Sequence, residues 1–174
     1  MNKTLIAWSC SAAVAALAGC ATPAAGPHAT AALTPTTGNT ASGTVHFVQH
    51  GSRVQVRGEV RGLKPNAEHG FHVHEKGDCS SGDGMSTGGH FNPGGAPHGA
   101  HGKGVHHAGD LPSLRANASG VATFSFESET IAVGSGASNI VGKGLIVHRD
   151  PDDYTTQPTG NAGPRLACAV IQRS

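Results

Sequence analysis

Between residues 44 and 60 apolar and polar side chains alternate with a period of two: Val45 and Phe47 against Thr44 and His46, then Val54 and Val56 against Gln55 and Arg57. Successive side chains of an extended strand point to opposite faces, so a chain patterned this way buries one face of a sheet. Gly51 and Ser52 separate the two runs, which reads as a hairpin. Gly70 to Glu75, Val121 to Phe126, Asn139 to Val147 and Leu166 to Ile171 are further strand candidates, and no long apolar run recurs at the helical period. Short strands separated by Gly, Pro, Ser and Asp predict an all-β domain, an antiparallel sandwich or flattened barrel. Two connections, 76–120 and 149–164, are too long for hairpins, and loops of that length in a compact domain usually carry function. The 174 residues include 26 Gly and 10 Pro, a share still below that of low-complexity chains, so the expectation is a folded, loop-rich domain with a lean core. With a formal net charge of +1, the chain lacks the strongly basic balance of a nucleic-acid binder.

The N-terminus is read as a targeting segment rather than as fold. Lys3 supplies one positive charge, and Leu5 to Leu17 is an apolar run too short for a permanent membrane span, so residues 1–19 read as a secretory signal. The run ends in Leu17-Ala18-Gly19-Cys20, which resembles the lipobox of bacterial lipoproteins and implies that Cys20 becomes a lipidated first residue; an ordinary signal peptide cleaved near Ala18 is the alternative. Residues 21–40 hold six Ala, six Thr, three Pro and no charge, a composition that predicts a flexible tether over 20–40 with the domain occupying 41–174. Removal of the signal takes away Lys3 and leaves equal numbers of acidic and basic residues.

The 12 His equal Lys plus Arg in number, and their placement decides what the long loops do. In Gly70-Phe71-His72-Val73-His74, Phe71 and Val73 turn to one face and His72 and His74 to the other. An H-x-H pair alone is also compatible with two polar residues on a solvated face. The series continues, however, with Gly89-His90-Phe91-Asn92-Pro93, His98, His107-Ala108-Gly109-Asp110 and Val147-His148, a set that points to metal ligation. Imidazole serves both copper and zinc, and three imidazoles with one carboxylate form a closed set suited to a structural zinc.

These residues resemble the copper/zinc superoxide dismutase family in its bacterial secreted form, through GFHVHEKGDC, GGHFNP, HHAGDLP, GLIVHRD and TGNAGPRLAC, over about residues 43–173. The resemblance implies a Greek-key sandwich or flattened eight-stranded barrel, with one copper and one zinc ion per chain. It implies copper on His72, His74, His90 and His148, and zinc on His90, His98, His107 and Asp110, with His90 shared. Arg165 matches the arginine beside the copper channel, where a planar permanent cation can hold the superoxide anion, and Arg165 and His90 are the implied catalytic residues. Asp152 matches the aspartate that spans a copper His and a zinc His, and His69 a structural histidine. Cys79 and Cys168 lie at the family's disulfide positions.

The implied activity is dismutation of superoxide to dioxygen and hydrogen peroxide. A copper or zinc carrier outside the cytoplasm is the alternative; it would use the histidines but has no need of Arg165. The implied setting is the periplasm, with lipid attachment to the outer membrane as the membrane contact, in a monomer or homodimer. Asp153, His46 and His50 are expected at the surface, and His101 and His106 lie inside the metal loop but off the family spacing.

Overall fold

The computed structural model describes residues 26–174; the signal segment and Cys20 lie outside the described residues. Among the described residues ten strands are formed: β1 (His28–Pro35), β2 (Ser42–His50), β3 (Arg53–Arg61), β4 (Glu68–His69), β5 (Phe71–His74), β6 (Leu114–Arg115), β7 (Ala122–Ser128), β8 (Gly144–His148), β9 (Arg165–Val170) and β10 (Gln172–Arg173), with one 3-10 turn at Met85–Thr87. Eight of them make one antiparallel sheet in the order β5-β8-β9-β1-β2-β3-β7, with β10 also on β1. From β3 the chain crosses to lay β5 at the far edge, returns to pair β7 with β3, then crosses again to pair β8 with β5. β1 joins the two halves, pairing with β2 along most of its length and with β9 at Thr34 and Pro35. The curled all-β sheet agrees with the fold class expected from sequence.

The interior is formed by the residues that the period-two pattern selects. Val45, Phe47, Val54 and Val56 from the hairpin, Phe71 and Val73 from β5, and Leu145 and Val147 from β8 are all fully buried. Phe71 meets Phe124 edge-on, with ring centroids 5.4 Å apart. On the outer face of β5 and β8, His72, His74, Ile146 and His148 are also buried. Loop segments 75–113 and 149–164 roof that face, so it is interior without being apolar.

Two expectations are corrected. The predicted tether over 20–40 is wrong from His28 onward, where β1 is an integral strand with Ala29, Ala31 and Leu33 buried. Its pattern does alternate, but with side chains so small that the composition resembles that of a linker; they fit because β1 is sandwiched between β2 and β9. The domain therefore begins before residue 41. The predicted strand Asn139 to Val147 starts only at Gly144. Asn139 accepts hydrogen bonds from the amides of Gly134 (2.9 Å) and Val141 (3.1 Å), and Gly142 turns at φ +82°, so the backbone of 139–143 is spent on a turn.

Candidate metal centre

β5 presents His72 and His74 on one face, and loop backbone pairs along its open edge. Phe91 N donates to Val73 O (2.8 Å) and Val73 N to Gly109 O (2.9 Å), which stations His90 and Asp110 beside the two strand histidines. On the other side of β5, the pairing of β8 with β9 shifts register at Val147/His148, so that His148 lies opposite Arg165. Such a bulge re-aims a side chain, and here it brings a histidine and an arginine to one point of the sheet.

Two groups of buried ligand atoms result, each gathered within 4.8 Å: His72, His74, His90 and His148; and His90, His98, His107 and Asp110. His90 belongs to both. Hydrogen bonds set which nitrogen each ring offers. His74 Nδ1 donates to Gly88 O (2.9 Å) and His148 Nδ1 to Gly163 O (3.1 Å), while the Nε2 atoms of His72 and His98 each lie 2.8 Å from a different oxygen of Asp152. A carbonyl or carboxylate can only accept, so in the neutral, metal-binding form each ring's other nitrogen carries the lone pair. Those atoms, His72 Nδ1, His74 Nε2, His148 Nε2 and His98 Nδ1, together with His90 Nε2, are buried and without hydrogen-bond partners. Buried polar atoms without partners are costly, and convergent lone pairs are what a cation satisfies. The residues fit the metals their chemistry implies.

The second group closes around Asp110. His90 Nδ1 lies 2.8 Å and His107 Nδ1 3.3 Å from Asp110 Oδ1, and His98 Nδ1 lies 3.1 Å from Oδ2 without the alignment of a hydrogen bond. The amides of Gly99 (3.2 Å) and His107 (2.9 Å) hold the carboxylate in place. Gly160 crosses directly over the Asp152–His98 contact, where a Cβ would collide with Asp152 Oδ1 and His98 Nε2, so only glycine lets the backbone seal this bridge.

Electrostatics separate the two groups. Burial pushes His74 and His148 well below their ordinary range, with Arg165 adding to the effect, and lowers His72 to about 4. Burial also opposes charge on His98, but the two carboxylates that face its ring, Asp110 and Asp152, together outweigh it and raise His98 to about 9. Burial works against both carboxylates too, yet their histidine partners hold Asp110 and Asp152 well below the usual carboxylate range. In the metal-free chain at pH 7, His98 is therefore protonated, whereas His72, His74 and His148 are already neutral. Loading zinc at the Asp110 group should release about one proton from His98, with affinity climbing up to roughly tenfold per pH unit toward His98's value of about 9. Calorimetry in two buffers of different ionisation enthalpy counts that proton; no release at pH 7 would contradict this reading.

Arg165 closes the other side. Its Nη1 donates to Gly84 O (2.6 Å) and Thr87 Oγ1 (2.7 Å), and its Nη2 to Gly88 O (2.7 Å). The carbonyl of Gly88 thus binds His74 and Arg165 together. A cavity of about 240 Å³ opens onto the four-imidazole group between Met85, Thr159 and Arg165, large enough for a small anion. Cys79 and Cys168 form a disulfide that joins the start of this loop to β9 three residues from Arg165.

A family model described as copper/zinc superoxide dismutase (SODC) matches residues 41–171. The chain belongs to the copper/zinc superoxide dismutase family. The superoxide dismutase [Cu-Zn] of Paramecium bursaria Chlorella virus 1 is 44% identical over 135 residues, covering 74% of this chain and 71% of the viral protein. The activity is superoxide dismutation, an oxidoreductase reaction, and copper and zinc are the cofactors. β1 lies outside the matched segment, although the superoxide dismutase sheet of this chain is continuous only through it.

The structure brings together all seven residues singled out as ligands, and sets Asp152 between His72 and His98. His69 is buried, with Nδ1 on His148 O at 2.9 Å. Asp153, His46 and His50 are exposed; Asp153 also caps a turn, accepting from the Thr155 (2.9 Å) and Thr156 (2.7 Å) amides. Sequence reasoning missed Gly84, Thr87, Gly88 and Gly163, whose oxygens orient Arg165, His74 and His148. It also missed Gln157, whose side-chain amide meets the His98 backbone twice at 2.9 Å. Backbone acceptors carry no signature in a sequence; Gly160 and Gly88 were visible only as glycines in a loop.

Proposed function

We propose that the four-imidazole group holds copper, that the Asp110 group holds zinc, and that Arg165 receives superoxide in the cavity between them and solvent. The observation that carries this is His90, which turns Nε2 into one group and Nδ1 into the other. When bound, copper supplies a one-electron couple that takes an electron from one superoxide and returns it to a second, while zinc supplies a fixed positive charge. Two superoxide anions and two protons become one dioxygen and one hydrogen peroxide. The chain's own part is to bind, orient and move protons. Arg165, its planar guanidinium held in place by three acceptors and half-buried, offers charge-assisted hydrogen bonds to a small anion and narrows the cavity against larger ones. His90 Nε2 is the atom at which a proton is held and released, while Nδ1 stays fixed by its second group. Asp152 ties the orientation of His72 to that of His98, so the two sites are built as one unit.

The assignment is tested by two variants. His148→Ala should lose copper, keep zinc and abolish superoxide decay measured by stopped flow; His107→Ala should lose zinc first. Loss of zinc on His148→Ala with copper retained would reverse the assignment. A plain metal carrier is disfavoured by Arg165, whose three hydrogen bonds aim a cation into the cavity where cargo metal would enter.

The enzyme is further proposed to be an exported lipoprotein of the bacterial secreted type: residues 1–19 removed, Cys20 acylated, and the domain on the periplasmic side of an outer membrane. The lipobox-like Leu17-Ala18-Gly19-Cys20 supports this, as does a disulfide, which persists in oxidising compartments. Seven residues separate Cys20 from β1, a span of at most about 25 Å, so the domain would stay close to the lipid surface. Every ligand of both groups comes from one chain, which suits a monomer or a homodimer equally. Mass spectrometry of the mature N-terminus should show a diacyl or triacyl Cys20; an unmodified N-terminus at another residue would refute the anchor.

A further inference from the structure

His101 and His106 have no part in the two buried groups, yet they are built like ligands. Their ring centroids are 5.4 Å apart, the same separation as His98 and His107 inside the centre. His101 Nδ1 lies 3.0 Å from Asp110 O, and His106 Nδ1 lies 2.7 Å from His107 O. Because a carbonyl only accepts, Nδ1 is the donor of His106 and its Nε2 keeps the lone pair; His101 faces a carbonyl through each nitrogen, and the shorter contact assigns the donor to Nδ1, as in His74 and His148. His106 Nε2 receives only a long contact from the Gly102 amide at 3.3 Å. His101 Nε2 faces the carbonyl oxygen of Glu127 at 3.3 Å. Two acceptors opposed in this way need a cation or a proton between them.

Both rings open onto a cavity of about 440 Å³ beside the end of β7, shared with Glu127, Glu129, Thr130 and Arg53. Arg53 takes one oxygen of Glu127 (3.0 Å) and one of Glu129 (2.9 Å), leaving the second oxygen of each free. We propose that this cavity is a third metal site, for a divalent d-block cation such as Zn²⁺ or Cu²⁺. Its donors are Nε2 of His101, Nε2 of His106, the Glu127 carbonyl and a free carboxylate oxygen of Glu127 or Glu129. Imidazole with oxygen donors is the set those ions prefer, and solvent access with Arg53 nearby makes the site weaker than the buried pair. An ion there would fasten the loop tip at 101–106 to β7, and through the His101–Asp110 contact to the backbone of the buried centre.

The test uses protein with both buried groups filled and free metal removed. Titration with Zn²⁺ by calorimetry should reveal one further equivalent of micromolar affinity, weakened at least about tenfold by combined His101→Gln and His106→Gln replacement. Superoxide decay should be unchanged in that variant. Trace Cu²⁺ should broaden the ring resonances of His101 and His106 before those of His46 and His50. Should the double variant disturb the buried metals, His106→Gln alone serves, since it leaves the His101 contact to Asp110 intact. No further equivalent, as expected if a proton on His101 fills the gap, overturns the proposal. So does an equivalent that survives the replacements, or broadening that begins at His46 or His50.

Discussion

Replacing His90 with glutamine is expected to slow superoxide decay about 100-fold to 10,000-fold even at saturating copper and zinc, the range general acid–base groups contribute. The reason lies in the two nitrogens of one ring. His90 Nδ1 is 2.8 Å from Asp110 Oδ1, and Nε2 is buried on the opposite side among His72, His74 and His148. The ring is packed between the groups, 4.0 Å from His72 and 5.4 Å from His107 by centroid. Glutamine can place one donor atom into either group, but not a conjugated pair of nitrogens into both. It therefore loses one ligand and, with it, the atom at which a proton is stored beside the reacting anion. Simple ligand loss would be repaired by excess metal; the missing proton store would not. The experiment measures rate and metal content on the same sample, and a wild-type rate with both metals bound would sink the mechanism proposed for His90.

How much of this was readable beforehand depended on what kind of signal each feature leaves. β2, β3 and β5 were evident because Val, Phe and His side chains of contrasting polarity alternate there. β1 obeys the same rule with Ala29, Ala31 and Leu33, but alanine contrasts little with threonine, and the pattern reads as linker until β2 and β9 are seen on either side. The ligands were readable because the histidines of GFHVH, GGHFNP, HHAGD and GLIVH stand in a series whose spacing points to metal ligation. The atoms that aim those ligands were not: His74 and His148 are oriented by the carbonyls of Gly88 and Gly163, and any residue has a carbonyl. His101 and His106 show the opposite limit. Sequence marked them as off the family spacing, and only the structure shows both rings pinned through Nδ1 beside one cavity.

Removing the Cys79–Cys168 disulfide should have the largest effect on stability. The bridge joins residues 89 apart, and closing a loop of that length restricts the unfolded chain by about 4–5 kcal/mol in the entropy model. For the metal-free protein this is a large part of the roughly 5–15 kcal/mol typical of a domain. A Cys79→Ser/Cys168→Ser variant should therefore unfold at a urea midpoint lower by about 2 M, given slopes of roughly 1–3 kcal/mol per M. Activity should fall too, for a local reason. Cys168 follows Arg165 on β9, and Cys79 begins the segment whose Gly84, Thr87 and Gly88 oxygens hold the guanidinium. The same segment is tied to β1's end only through the Thr37 amide on Gly82 O at 2.8 Å and a long contact from the Thr37 hydroxyl. Without the bridge, Arg165 and its acceptors lose their common anchor, and His74 shares the Gly88 carbonyl that moves with them. Bound metal would offset part of the stability loss by mass action, so metal-free and metal-loaded samples should diverge more in the variant than in the parent. An unchanged midpoint in the metal-free protein, with an unchanged rate after verified loss of the bridge, would show that the segment is held by its hydrogen bonds alone.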